Sequence, residues 1–182
     1  VYDGFRYNKK PNVSGCGLTS IKIFYEGELF GGKSKKQPNI AQLKNVIVPQ
    51  ILKKKWDYVV IDIEVWDEIK EMDKLILAMK TIRDGVRKKG GKSKLGYYMM
   101  IPEKNWYAPV QNRSSKVKAW KSNNDKLARL AKEVDVIFPS LYTMFDNQSD
   151  WIKYAKGNIA EARQYGKPVI PFIWPQIHNW NS

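Results

Sequence analysis

Apolar runs that read as buried strands alternate with amphipathic helical patterns along the whole chain, and this alternation restricts the fold more than any other feature. The strand candidates are "SIKIFY" (20–25), "YVVIDIE" (58–64), "KLGYYMMI" (94–101), "VIFPSLY" (136–142) and "PVIPFIW" (168–174). Near-continuous apolar runs of this length belong to strands buried on both faces, as in parallel sheets. Each gap between them carries a helical pattern. "NIAQLKNVIVPQILKKK" (39–55) has apolar positions at helical spacing, and Pro49 is expected to kink or split it. "DEIKEMDKLILAMKTIRDGVRKK" (67–89) puts Ile69, Met72, Leu75, Ile76, Met79 and Ile82 on one face and stops at "KKGG". "VKAWKSNNDKLARLAKEV" (117–134) follows, then "SDWIKYAKGNIAEARQYG" (149–166), with Ser149 expected as N-cap and Gly166 as C-terminal stop. Strand, helix and strand in this order mean βαβ crossovers and an α/β fold.

Two parallel-sheet architectures compete, the doubly wound open sheet and the closed (β/α)₈ barrel. No glycine-rich phosphate loop follows an early strand, so the nucleotide-binding open sheet lacks support. Polar and aromatic residues gather instead where strands end: Asp62 and Glu64, Tyr98, Tyr142 and Trp174. A barrel builds its active site at that end. A complete barrel takes about 250 residues. The 182 residues and five strand candidates therefore predict a single (β/α)-barrel, TIM-barrel-like catalytic domain over 1–182, represented only in part. No linker or low-complexity stretch marks a second domain.

Hydrophobic content of 43% and aromatic content of 13% place the chain among folded globular proteins. No apolar run approaches the roughly 18 residues needed to cross a bilayer. Cys16 is the only cysteine, so no internal disulfide forms, and His178, the only histidine, excludes His-rich zinc sites. The formal charge of +14 implies attraction to polyanions, without choosing among nucleic acid, acidic polysaccharide and anionic surfaces. No nucleic-acid-binding motif accompanies it. The lysine runs "KSKK" (33–36) and "KKK" (53–55) read as solvated faces before they read as binding sites. Asn12, Asn112 and Asn147 begin glycosylation acceptor patterns, which points to a secreted or extracellular protein.

The strand "YVVIDIE" ends in two acids of the same side-chain parity. Asp62 and Glu64 project to one side, roughly 6.5–7 Å apart along the strand. Two like charges so placed need a partner, a proton or a task. They can bind a divalent cation, serve as a general acid with an electrostatic partner, or cap a strand at a solvated rim. A metal needs further oxygen ligands, and Asp146 is the only other obvious one near a strand end. The aromatic company favours the second use, because glycan sites combine aromatic faces with acid pairs.

"VVIDIEVW" resembles the catalytic strand of the hyaluronidase family, the glycoside hydrolases of animal tissues and venoms, whose hallmark is an Asp-x-Glu in an "IDxExW" setting. The resemblance continues in order from Ile21 to Trp174. "IKIFYEGELFGG" is similar to the family's "IxIFYxxxLG", "QPNIAQL" to its "PQxxxL" and "LGYYMMIP" to its "WGYYxxP". "NNDKLARLAKEVDVIFPSLY" is similar to "NDxLxWL…LxPSxY", and "KPVIPFIW" to "LPVxPY". The connection between the acidic strand and the Gly-Tyr-Tyr strand is shorter than the family's, and the family's disulfides have no counterpart.

The resemblance implies retaining, substrate-assisted hydrolysis without a metal or other cofactor, on an acidic or N-acetylated polysaccharide. Carried over, Glu64 protonates the leaving glycosidic oxygen and later activates water, while Asp62 holds the acetamido N–H. Tyr98 and Tyr142 match active-site tyrosines, each of which reads as a core tyrosine without the family, and Tyr25 matches a substrate-contacting one. Trp174 is a candidate platform for a sugar ring, His178 a structural or cleft-lining residue, and Trp66 a residue packed against the barrel wall. A chitinase-like hydrolase and a catalytically silent carbohydrate-binding barrel are the rival readings. The first lacks that family's earlier aspartates; the second has little need of both acids.

Overall fold

The computed structural model describes residues 2–3, 12, 15–111 and 114–174. Strands β1 (Tyr2–Asp3) and β2 (Thr19–Ser20) form a short parallel pair. The main sheet holds β3 (Lys22–Tyr25), β4 (Tyr58–Asp62) and β5 (Lys94–Tyr97), all parallel, with Tyr25 opposite Asp62 and Ile61 opposite Tyr97. Parallel bridges carry the same order onward, from Tyr98 to Phe138, Ile137 to Val169 and Ser140 to Phe172. Each segment therefore lies beside its predecessor in sequence, and the order nowhere reverses as a doubly wound sheet requires. Among the described residues no bridge returns from 169–172 to β3.

The expected strands at 136–142 and 168–174 are present only as these isolated bridges. Pro139 and Pro171 explain the shortening, since each lacks the N–H that a ladder needs. What survives is well made: Ile170 N donates to Ile137 O and Phe172 N to Pro139 O, both at 2.9 Å.

The two faces of the sheet differ. Phe24, Val59, Ile61, Ile63, Leu95 and Tyr97 point toward the helices and join the main core. Residues of the other parity, among them Ile23, Val60, Tyr98, Val136, Phe138 and Phe172, form a second cluster with no helix in it. Gly96 belongs to that second face. A Cβ there would lie 2.2 Å from Val136 O and 2.8 Å from the Phe138 ring, so glycine is what lets the neighbouring segment close in.

The helices follow from local chemistry. After α1 (Glu26–Phe30) come α2 (Ile40–Gln42), a π-helical turn at Leu43–Ile47, and α3 (Val48–Lys53). The helical pattern over 39–55 is thus split, one of the two outcomes expected from Pro49. Pro49 in the first turn of α3 has no N–H for the carbonyl four residues back, and the widened π turn absorbs the mismatch. Helix α4 (Met72–Lys88) buries Met72, Leu75, Ala78, Met79, Ile82 and Val86. It starts five residues later than its pattern predicts because Asp67 Oδ1 accepts from Ile69 N (3.0 Å) and Lys70 N (2.8 Å), forming a separate turn. Helices α5 (Ala108–Gln111), α6 (Ser114–Ala131) and α7 (Gln148–Arg163) complete the described chain. The N-cap of α7 is Asn147, not Ser149: its side chain accepts from Asp150 N at 2.8 Å. Gly166 takes a left-handed φ of 64° just beyond the helix, as the sequence predicts for a stop.

Candidate active site

Parallel strands deliver their last residues to one end of the sheet, and the acids and tyrosines singled out in the sequence arrive there together. Asp62 is the final residue of β4 and stands opposite Tyr25, the final residue of β3. Tyr98 follows β5 directly and is buried, with its hydroxyl donating to Ser140 Oγ at 3.2 Å. Burial, then the neighbouring Tyr142 and the negative charge of Asp62, hold the Tyr98 phenol far above its ordinary value, so it stays a neutral donor. Tyr98 N donates to Ile61 O at 3.0 Å, which carries the β4–β5 register one residue on and sets Tyr98 beside Asp62.

An aromatic row continues across the next two segments. Tyr98 lies 5.9 Å from Tyr142 and 5.0 Å from Phe172, centroid to centroid, and Tyr142 lies 5.4 Å from Trp174 in an edge-on contact. Trp174 is 37% exposed, enough to offer part of its face to a ligand. Beside it opens a groove of about 400 Å³ lined by Trp174, Trp151, Phe145 and Asn147. Met99, immediately after Tyr98, has φ of 61°, a left-handed conformation uncommon outside glycine. Such strain gathers at functional sites, and here it ends the strand right after Tyr98.

Glu64 lies two residues past Asp62, beyond the end of β4, and is exposed. Between them Ile63 is buried in the main core, so the in-out alternation read from the sequence persists past the strand end. The Glu64 backbone is fixed by a residue the sequence reading missed. Glu26 Oε1 accepts from both Glu64 N and Val65 N at 2.8 Å. Burial works to raise the Glu26 carboxyl, but Lys35 and the two amide donors outweigh it and leave it below its ordinary value. The same lysine's segment holds Trp66, whose Nε1 donates to Lys35 O at 2.7 Å while its ring packs edge-on against Phe30. Trp66 is buried, as expected of a residue packed against the wall of the domain.

A second acid group occupies the same end of the molecule. Glu68 Oε1 accepts from Lys104 N at 3.0 Å, and both Glu103 oxygens accept from Asn123 Nδ2 at 3.2 Å. Burial is the main cause that raises both carboxyls, and their mutual repulsion adds to it for Glu103. Asp146 is exposed, and among the described residues no group of three or more His, Cys, Asp or Glu is placed to hold a metal ion. Asn12 and Asn147 are exposed; His178 and Asn112 lie outside the described residues. No described helix is long and apolar enough to cross a membrane.

A one-directional parallel sheet with helices on one face, and acids and aromatic rings gathered at its carboxyl end, defines a partial α/β fold. Solved structures of similar fold include bee venom hyaluronidase, matched at 18% identity and a TM-score of 0.59 over 87% of this chain and 68% of that one. The same enzyme in complex with a hyaluronic acid tetramer matches at 17% identity and a TM-score of 0.61, with the same coverage. No sequence model of a known family matches the chain, and no curated protein matches it in sequence. The likeness is therefore one of fold.

Proposed function

We propose that this chain is the catalytic part of a hyaluronidase-like glycoside hydrolase, secreted and built as part of a (β/α) barrel. It would cleave an N-acetylhexosamine polysaccharide of the hyaluronan or chondroitin kind with retention of configuration. The observation that carries this reading is the placement of Asp62 at the carboxyl end of β4, between Tyr25 at the end of β3 and Tyr98 just past β5, with Glu64 two residues on. The resemblance in hyaluronic-acid-bound fold supports the substrate class.

In the proposed reaction the acetamido carbonyl oxygen of the substrate attacks the anomeric carbon as the glycosidic C–O bond breaks. Glu64 gives its proton to the leaving oxygen. Asp62 accepts a hydrogen bond from the acetamido N–H and offsets the positive charge of the cyclic oxazolinium-like intermediate. Water then attacks the anomeric carbon, Glu64 takes its proton, and the acetamido group is restored. This route departs from the scheme with two enzyme carboxylates. Tyr98, a neutral donor, and Tyr142 would line the acetamido pocket, while Trp174 and the groove beside it would stack the next sugar.

One observation favours a second reading. Glu68 and Glu103 crowd the loops at the same end, and a neutral chitin-type polymer would not be repelled by them. A reducing-end assay on hyaluronan, chondroitin and chitin oligosaccharides separates the two. Cleavage of the acidic polymers supports the first reading, cleavage of chitin alone the second, and cleavage of none removes both.

A further inference from the structure

The lysines at the opposite end of the sheet have no part in that chemistry, and the structure gives them a site of their own. The loop between α3 and β4 and the loop between α4 and β5 enclose an open groove of about 730 Å³ at the amino ends of β4 and β5. Lys54, Lys55, Lys89, Lys92 and Lys94 line it, and Asp57 is its one acid. Among the described residues no carboxylate lies within ion-pair distance of any of the five, and what sets them apart from other exposed lysines is that they line one groove together. Bringing five like charges together around a single acid costs energy.

The groove is also held in shape. Arg87 Nη1 donates to Gly91 O and Ser93 O, both at 2.9 Å, while Nη2 pairs with Asp135 at 2.7 Å. Lys94 N donates to Asp57 O at 2.9 Å, tying one loop to the other. A Cβ on Gly91 would fall 2.5 Å from Val86 Cγ1 and 2.8 Å from Leu52 Cδ2, so glycine lets this loop sit down on the core. A fixed frame presenting unpaired lysines is preorganised for a polyanion.

We propose that this groove is a second binding site for an acidic polysaccharide, anchoring the protein on a carboxylate- or sulfate-bearing chain away from the cleft. The choice of polysaccharide over nucleic acid rests in part on the hydrolase reading above and in part on the groove itself. Lys54 Nζ sits 4.2 Å over the Trp56 ring and Lys94 Nζ 5.9 Å over the Tyr58 ring, so each ring already carries a cation on one of its faces. The lining cations are all lysines, point charges that suit scattered carboxylates and lack the forked geometry that reads base edges. About 13 Å of strand separates the groove from Asp62, so one long chain or two neighbouring chains can occupy both ends. Tethering by the groove then raises the local concentration of cleavable bonds at the cleft.

The test is equilibrium binding of long-chain hyaluronan to the full chain carrying Glu64→Gln, which is expected to suppress turnover during the measurement. One variant adds Lys54→Gln, Lys92→Gln and Lys94→Gln. A charge-matched control adds Lys116→Gln, Lys118→Gln and Lys156→Gln on α6 and α7, all exposed. The groove variant is expected to bind about tenfold more weakly and the control to change less than about twofold, both with unaltered melting. Equal loss in the two variants overturns the proposal by reducing the effect to overall charge. So does duplex DNA that displaces hyaluronan from the groove at matched charge. Groove-specific loss in a protein whose wild type cleaves no glycan removes the hydrolase and leaves the groove standing; active cleavage with binding indifferent to these lysines does the reverse.

Discussion

The two ends of the main sheet are made from the same strands and are opposite in chemistry. At the carboxyl end stand Asp62, Glu64, Glu68 and Glu103 among tyrosines and tryptophans, several of them buried and hydrogen-bonded. At the amino end stand exposed lysines over an open groove. The difference teaches that the net charge of +14 describes no surface in particular. It is an average over an acidic mouth and a basic base, and only the local balance tells what each end attracts.

The largest effect that would break this contrast is expected at Glu64. Replacing it by Gln keeps shape and removes the transferable proton, so turnover should fall by about 10²–10⁴-fold with melting unchanged. Near-normal turnover of the folded variant would strip the carboxyl end of its catalytic role. Next comes Glu26→Ala, which leaves the Glu64 and Val65 amides and Lys35 without their shared acceptor. A stability loss of about 1–3 kcal/mol is expected, with a lower turnover number and a little-changed Michaelis constant. Denaturant melts and kinetics measured on one preparation check it; equal kinetics would mean the Glu64 loop holds its place unaided.

How far each end was legible in the sequence differs for physical reasons. The period-2 pattern of Tyr58, Val60 and Asp62 against Val59, Ile61 and Ile63 foretold which face each residue takes, and the helical period of 72–86 foretold the core face of α4. The shortening at Pro139 and Pro171 was available in principle, since a missing N–H is written in the sequence. The Glu26 clamp was not: it spans 38 residues to Glu64, and no local spacing encodes such a contact. Asn147 and Ser149 are both good cap residues, so composition left that choice to the geometry of the turn. The lysine groove joins two loops that the sequence shows only as separate runs, which is why "KKK" reads as a solvated face.

Salt gives a smaller effect. The Debye length shrinks from about 10 Å at 0.1 M to about 3 Å at 1 M, so lysine-driven capture of an acidic polymer weakens. The Michaelis constant for hyaluronan should rise severalfold across that range while saturated turnover changes much less. In the groove variant the rise should flatten; a salt-independent constant in the wild type would favour the neutral substrate.

The smallest effect concerns Glu68, whose carboxyl is raised by burial. The folded state binds its proton more tightly than the unfolded chain does, so ionisation above the ordinary value of 4.5 costs the fold stability as pH rises. Glu68→Gln retains the acceptor for Lys104 N and carries no charge. Its melting temperature should exceed that of the wild type by about 1–3 °C at pH 7 and match it below pH 4. A lower melting temperature at pH 7 would show that the charge itself supports the acidic end.

Tyr97 and Tyr98 are neighbours on one backbone that serve opposite faces. The Tyr97 hydroxyl is fastened to Leu75 O in the first turns of α4 at 2.8 Å, while Tyr98 meets Ser140 in the site. Adjacent residues at one strand end are thus fastened to the outer helix on one face and to the site on the other. Tyr98 is held in register by a strand end that Tyr97 anchors from behind, so the placement of the site depends partly on residues that never face it.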